Sequence, residues 1–220
     1  LWLKNNSMKL SRLIILLISL NVSISGICQK STETPVKEPS KITEQINQAS
    51  SKTSTITADF TQVKEMSFME EKITSVGKFY FEKENLMRWE YTEPFNYAII
   101  LNGERIRIID EGKMKDFDTG SNRMFMEISR VMTGMVNGTL LTGKEFTTSW
   151  LEGDSYYKAI LVPAGSMMKE YLTRIELRLN KTNFSVDELK MYERSGDYTI
   201  ITFRNKKLNE TIPSEIFRLD

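Results

Sequence analysis

The sequence predicts a mainly β protein with few helices, in which one antiparallel sheet curls around its own apolar face. Three observations support this class. Most segments after residue 55 alternate apolar and polar residues with a period of two, as strands with one dry face and one wet face do. Only two segments of the folded part show helical spacing. Roughly ten strands would expose more apolar surface than two short helices can cover on a flat sheet, so we expect a curled sheet with helices at its mouth.

The composition narrows the classes of function. Lys and Arg number 30, Asp and Glu number 29, and the net charge is +1, with no basic stripe that would indicate a nucleic-acid partner. The absence of histidine excludes Ser-His and Cys-His nucleophilic pairs and histidine-containing metal sites. No Gly-x-Ser-x-Gly motif of a hydrolase occurs either. We therefore expect a binding protein without a cofactor rather than an enzyme.

Residues 1–28 are predicted to be an N-terminal extension followed by a signal peptide. Lys9 and Arg12 form a positive segment, and an apolar run over residues 13–20 follows it. That run is short for a membrane span, which needs about 20 residues. A membrane anchor or a buried helix is the alternative interpretation.

The expected organisation of the mature chain depends on where the signal peptide is cleaved. Cleavage after Ser25 or after Cys28 fits the small residues there, and Ile27 makes lipidation of Cys28, the only cysteine, the weaker interpretation. Residues 29–41 are polar and are predicted to form a flexible leader. Residues 42–220 then form one folded domain.

Two segments have helical periodicity. Ile42, Ile46 and Ala49 form a thin apolar stripe, with Ser40 as the predicted N-cap. A second, methionine-rich stripe is predicted to form either a lid or an ordinary core helix, because methionine side chains adapt to partners of varying shape. Its residues are Met124, Phe125, Ile128 and Met132.

The strands carry aromatic side chains on one face and charges on the other. Trp89 and Tyr91 alternate with Arg88 and Glu90, so the aromatic side is predicted to face inward, as cavity lining or as core. Asn102-Gly103 is predicted to supply a type I′ hairpin turn. Further turns are predicted at Asn180-Lys181, Ser195-Gly196 and Asn205-Lys206.

The order of these motifs resembles the LolA family of periplasmic carriers of outer-membrane lipoproteins. A short helix precedes ADFTQ, a glycine-led aromatic strand, RWEYTEP and an Asn-Gly turn, and the later VPAGSMMKEYLTRIELRL resembles a strand pair of the family. SEIFRLD is similar to its closing strand. The matching positions are Phe60, Gln62, Gly77, Phe79, Phe81, Arg88, Trp89, Tyr91, Pro94, Asn102 and Gly103.

The resemblance implies an incomplete, strongly curved antiparallel half-barrel lidded by short helices. It implies that acyl chains of lipoproteins enter a cavity under a lid formed by the methionine-rich helix. The predicted lining residues are Phe60, Phe79, Phe81, Trp89, Tyr91, Ile99, Leu101, Ile106 and Ile108.

The resemblance also implies partners and a latch. The expected partners are acylated lipoproteins, an inner-membrane lipoprotein-releasing ABC transporter, and an outer-membrane acceptor or the membrane surface; a monomer suits such a shuttle. Lys83 stands where the family has an arginine that holds the lid, so Lys83 is the latch candidate, with a solvated strand-end charge as the alternative. The alternative function is a periplasmic sensor or regulator that uses the same half-barrel.

Overall fold

A single twelve-stranded antiparallel sheet forms most of the protein. The computed structural model describes residues 33–83, 85–118, 133–134, 138–141 and 143–219. The chain divides into two units, residues 1–31 and 32–220, and every described residue belongs to the second. The strands are β1 Thr34–Pro35, β2 Thr55–Glu65, β3 Ile73–Glu82, β4 Leu86–Glu93, β5 Tyr97–Asn102, β6 Arg105–Asp110, β7 Lys113–Asp118, β8 Phe146–Glu152, β9 Tyr156–Pro163, β10 Leu172–Asn180, β11 Val186–Glu193 and β12 Tyr198–Leu208.

The sheet is open, which confirms the predicted fold class. Its strand order is β1-β8-β9-β10-β11-β12-β2-β3-β4-β5-β6-β7, so β12 pairs with β2 and joins the two halves of the sequence. β1 and β7 lie at the two edges. Because all neighbours are antiparallel, the sheet can bury one face and leave much of the other in water.

The helix α1, Pro39–Ser51, packs its apolar stripe against the buried face of the sheet. Ile42 and Ile46 are buried in the main core. The predicted N-cap at Ser40 is wrong, because the helix begins earlier: Pro39 occupies the first turn, where its missing N–H costs no hydrogen bond. A second helix, α2, is short and spans Ser166–Tyr171.

The end of the predicted leader is ordered. Thr34 and Pro35 of β1 pair with Glu152 and Leu151 of β8. Glu33 accepts hydrogen bonds from the Tyr156 hydroxyl and from Lys158 Nζ, both at 2.6 Å. Residues 33–41 therefore depart from the flexible leader that the sequence predicts.

A close approach at Gly77 helps the sheet to bend. Gly77 lies opposite Phe60 at a register shift between β3 and β4. A Cβ atom at Gly77 would lie 2.0 Å from the Glu90 carbonyl oxygen and 2.6 Å from Phe60 Cζ. Only glycine fits there, and bulges of this kind bend a strand and increase its twist.

A small second core covers the outer face of β4 and β5. Phe217 and Ile100 are almost fully buried, and Asn102 Nδ2 donates to the Phe217 carbonyl oxygen at 3.0 Å. The residues around Phe217 form a 3₁₀ turn, Ser214–Phe217. The prediction that this segment is a closing strand is therefore wrong, because its carbonyl groups bond side chains of the sheet face instead of a strand edge.

Two of the predicted turns also differ. Asn102 pairs with Arg105, so the hairpin loop is Gly103-Glu104, and only Gly103 has a positive φ, of 62°. A type I′ turn at Asn102-Gly103 is therefore wrong, since it needs two positive φ values. Asn205-Lys206 is a bulge inside β12 instead of a turn.

The predicted methionine-rich lid helix, with Met124, Phe125, Ile128 and Met132, lies outside the described residues. After it, a 3₁₀ turn at Thr139–Leu141 buries Leu140 and Leu141 in the main core. Within the described part of the chain, none of the helices combines the length and apolar character that a membrane crossing requires.

Candidate functional site

An apolar cavity lies between α1 and the buried face of the sheet. The space between its walls is about 850 Å³ when the open solvent at its mouth is counted with it. Strand ends from both halves of the sheet meet here, because β12 pairs with β2. The lining residues are Ile46, Ala49, Ser50, Thr53, Ile56, Ala58, Phe79, Trp89, Leu179, Asn183, Phe184, Ser185, Val186, Phe203, Lys206 and Leu208.

An aromatic cluster forms the inner wall of this cavity. The Trp89 ring centroid lies 5.5 Å from that of Phe79 and 5.9 Å from that of Phe203, both at steep interplanar angles. Phe60 supports Trp89 from behind at 4.5 Å. Edge-to-face contacts of this kind favour a rigid wall.

The structure brings the predicted lining residues into one apolar cluster and places two of them, Phe79 and Trp89, at the cavity surface. The other predicted lining residues belong to the same apolar cluster, behind that surface. Some are buried core residues, namely Phe60, Phe81, Leu101 and Ile106, and some are partly buried against the core, namely Tyr91, Ile99 and Ile108.

Tyr91 adds a neutral polar group behind the wall. Its hydroxyl donates to Gln62 Oε1 at 2.9 Å. Burial is the main cause of a pKa of the Tyr91 hydroxyl above its ordinary value, so this group stays uncharged at neutral pH. The interior therefore remains without charge at this point.

Lys83 contacts the end of α1. Its Nζ donates to the carbonyl oxygens of Ser50 at 3.1 Å and Ser51 at 2.7 Å, and its backbone N–H donates to Ser54. A cation at a helix C-terminus is favourable, because it satisfies carbonyl groups that lack an intrahelical partner. The function of Lys83 as a latch stays a prediction. The two bonds to Ser50 and Ser51 connect it to the end of α1.

Sequence reasoning missed the side of the cavity formed by β10, β12 and the loop between β10 and β11. Phe203 could have been found, because it continues the inward alternation of Ile201 along β12. Phe184 could not, because it lies outside any strand and has a φ of +57°. Such a conformation is rare for an aromatic residue, and the Phe184 ring stacks on Tyr157.

The described residues that line the cavity are mostly apolar. Of the described residues that line it, only Lys206 carries a charge. Across the described ranges, no three acidic, cysteine or histidine side chains come together as a metal site would require. What the arrangement can do is remove an apolar group from water.

Fold and site together define an open antiparallel half-barrel with an apolar cavity under a helix. Residues 51–122 match the family model described as outer membrane lipoprotein carrier protein LolA, which confirms the resemblance found in the sequence. The matched range contains α1's last residue, β2 to β7 and three residues of the aromatic cluster, Phe60, Phe79 and Trp89. None of the curated proteins compared with this sequence matches it significantly.

Solved structures share the fold at low sequence identity. MucB has a TM-score of 0.50 and 10% identity, with 84% of this chain and 64% of MucB covered. A LolA superfamily protein from Nitrosomonas europaea has a TM-score of 0.43 and 13% identity over 82% of this chain and 97% of that one. A lipoprotein-sorting protein domain from Vibrio parahaemolyticus has a TM-score of 0.43 and 9% identity, covering 81% and 97%.

Proposed function

We propose that this protein is a periplasmic carrier that binds the acyl chains of lipoproteins and moves the lipoproteins from the inner to the outer membrane. The observation that supports it is the apolar cavity between α1 and the sheet, with Phe79, Trp89 and Phe203 in its wall. The family match over residues 51–122 and the predicted signal peptide favour the same function.

The energetics of acyl chains favour a carrier with a partly open site. Each methylene group that leaves water contributes about 0.8 kcal/mol, so several fully buried chains would bind too tightly to be released. A cavity that is partly open to solvent keeps the binding free energy within a reversible range. Rigid aromatic walls suit this purpose, because they need little reordering when a chain enters or leaves.

The expected cycle follows from this balance. The inner-membrane transporter supplies an acylated lipoprotein, the chains displace contacts between α1 and the sheet, and the outer-membrane acceptor or membrane surface takes the cargo. The bonds from Lys83 to the end of α1 would oppose opening and would re-form after release. In this cycle α1 competes with the cargo for the sheet, whereas the resemblance gives the role of lid to the methionine-rich helix.

A transfer assay between vesicles tests the carrier. The mature protein should move a tripalmitoyl-cysteine lipopeptide from donor to acceptor vesicles in proportion to protein concentration. Phe203→Glu should abolish the transfer, because it places a charge in the apolar wall. Phe68→Glu is the matched control, since Phe68 is 79% exposed and lies outside the cavity. Thermal unfolding verifies that both variants fold.

The same assay separates the carrier from the sensor or regulator. A protein that binds the lipopeptide and never delivers it to acceptor vesicles would favour the sensor. A protein that neither binds nor transfers the lipopeptide would contradict both functions.

A further inference from the structure

We propose that the mouth of the cavity is a headgroup subsite that favours an amphiphile with an anionic headgroup, a carboxylate or a phosphate monoester. The subsite consists of Ser50, Thr53, Asn183, Ser185 and Lys206, which we call the collar. This inference rests on the proposed binding of acyl chains in the cavity and adds a ligand class to it.

The cavity has both apolar and polar lining, and its partly exposed part includes apolar side chains such as Phe184, Val186 and Leu208. Its inner residues are apolar and buried, with Ile46, Trp89 and Leu179 at 2%, 6% and 2% exposure. The collar residues are all polar and all reach solvent to some degree. A ligand that matches both kinds of lining has a hydrocarbon tail and a polar head, because the tail leaves water and the head replaces water at the collar.

A bulge in β12 turns the charged side chain of Lys206 toward the cavity. Phe203 faces the cavity, so simple alternation would point Asn205 inward and Lys206 outward. The register shift between Arg204 and Lys207 inserts one extra residue there, and Asn205 takes a φ of +51° while its Nδ2 donates to Asp59. Lys206 consequently enters the cavity lining. Bulges are known to re-aim side chains next to functional sites.

The Lys206 ammonium is fixed in place. Its Nζ donates to Ser185 Oγ at 2.7 Å, to the Val186 carbonyl oxygen at 3.0 Å and to the Asp187 carboxylate. The side chain of Lys206 is 15% exposed, whereas that of Asp187 is 41% exposed and does not line the cavity. All three hydrogens of the ammonium therefore have protein partners, and an anion inside the cavity would compete with the Asp187 carboxylate for one of them.

Neighbouring groups favour an anion as well. Ser185 donates from both N and Oγ to Asn183 Oδ1, and none of the hydrogen bonds between described residues uses Asn183 Nδ2. Lys83 adds a second ammonium beside the collar, bonded to the Ser50 carbonyl oxygen. Among the described residues, Lys83 Nζ bonds main-chain carbonyl groups and no carboxylate. The two ammonium groups and Asn183 Nδ2, placed beside an apolar cavity, are the features that favour a carboxylate or phosphate headgroup.

The test compares amphiphiles with the same chain and different heads. Hexadecanoate, hexadecyl phosphate and neutral monopalmitoylglycerol are titrated into the mature protein at low salt and below their critical micelle concentrations. We expect at least one of the two anions to bind about tenfold more tightly than the neutral probe, as one fixed charge in a partly desolvated site provides. The two anionic arms distinguish a fatty-acid source from a phosphate source.

Two variants make the result specific. Lys206→Gln should bring the affinity ratio of anion to neutral probe close to one, because the anions should lose more affinity than the neutral probe. Lys207→Gln should keep the ratio, because Lys207 lies outside the cavity lining and pairs with Glu210. Raising the salt concentration should reduce the preference in the unmodified protein.

Three outcomes would overturn the headgroup subsite. Equal binding of all three probes to the unmodified protein shows acyl binding without headgroup selection and leaves the proposed function intact. Equal weakening of all three probes by Lys206→Gln shows that Lys206 only anchors the loop of Phe184. Binding of none of the probes contradicts both the subsite and the apolar binding on which the proposed function rests.

Discussion

Lys83 Nζ donates to the carbonyl oxygen of Ser51 at 2.7 Å and thereby connects the end of β3 to the C-terminus of α1. The second bond, to the Ser50 carbonyl oxygen, places the ammonium at the end of the helix. Lys83 thus contacts the helix that covers the cavity through main-chain carbonyl groups of that helix instead of a carboxylate.

Lys83→Met is expected to loosen α1. It removes both bonds and the favourable charge at the helix end, which together should cost about 1 to 2 kcal/mol of local stability. Hydrogen exchange over residues 47–54 should become faster, while the strands of the sheet keep their protection. Lys78→Met is the control, because Lys78 lies exposed on the same strand. Unchanged exchange in α1 would remove Lys83 from consideration as a latch.

Gly77→Ala is expected to destabilise the sheet. Its new Cβ would meet the Glu90 carbonyl oxygen at 2.0 Å, and a backbone atom cannot move aside as a flexible side chain can. We expect a loss of about 3 kcal/mol in the free energy of unfolding, measured by urea denaturation. Gly165→Ala has open space around its Cβ and should change stability little. Equal stability of the two variants would contradict the close approach.

Phe217→Ala tests the separation of stability from binding. Phe217 is 2% exposed and packs on the outer face of β4 and β5, away from the cavity. Its truncation should cost about 3 to 5 kcal/mol of stability. At a temperature where the variant is still folded, its affinity for acylated ligands should equal that of the unmodified protein. A selective loss of affinity would connect the outer face to the site.

We expect β1 to separate from β8 at acidic pH. Burial alone would raise the pKa of Glu33, but hydrogen bonds from Lys158 and Tyr156 outweigh it, and the pKa lies below its ordinary value. A lowered pKa contributes stability that is present above the ordinary value of about 4.5 and is lost as pH falls through the folded-state pKa. The protection factors of residues 33–36, which are exchange rates corrected for the intrinsic effect of pH, should therefore fall below about pH 4.5. In Glu33→Gln these protection factors should already be low at neutral pH, and protection factors that do not change with pH in either protein would refute the assignment.

Much of the fold could be predicted because its signals are local. The alternation around Phe79 and Trp89 and the glycine at Gly77 each depend on short stretches of sequence. The closing segment could not be predicted in the same way. Its alternating residues fit a strand, and only the tertiary contacts of Asn102 and Arg88 with its carbonyl groups make it a 3₁₀ turn.

The candidate site likewise contains some residues that could be predicted from the sequence and some that could not. Trp89 and Phe79 follow from strand periodicity, which places them on the inward face. Phe184 and Lys206 depend on a left-handed residue and a bulge, both of which arise from pairing with distant strands. In isolation the dipeptide Asn205-Lys206 predicts a turn. Asparagine tolerates positive φ in turns and in bulges alike, so the dipeptide does not distinguish the two.

Native mass spectrometry of the mature protein with a tripalmitoyl-cysteine lipopeptide tests the central claim most directly. Ala49 lines the cavity, so Ala49→Trp should fill it, whereas Gln48→Trp places the same ring on the exposed side of α1. The account predicts a one-to-one complex for the unmodified protein and for Gln48→Trp, and no complex for Ala49→Trp. Equal binding by all three proteins would place the acyl chains outside this cavity and contradict the account.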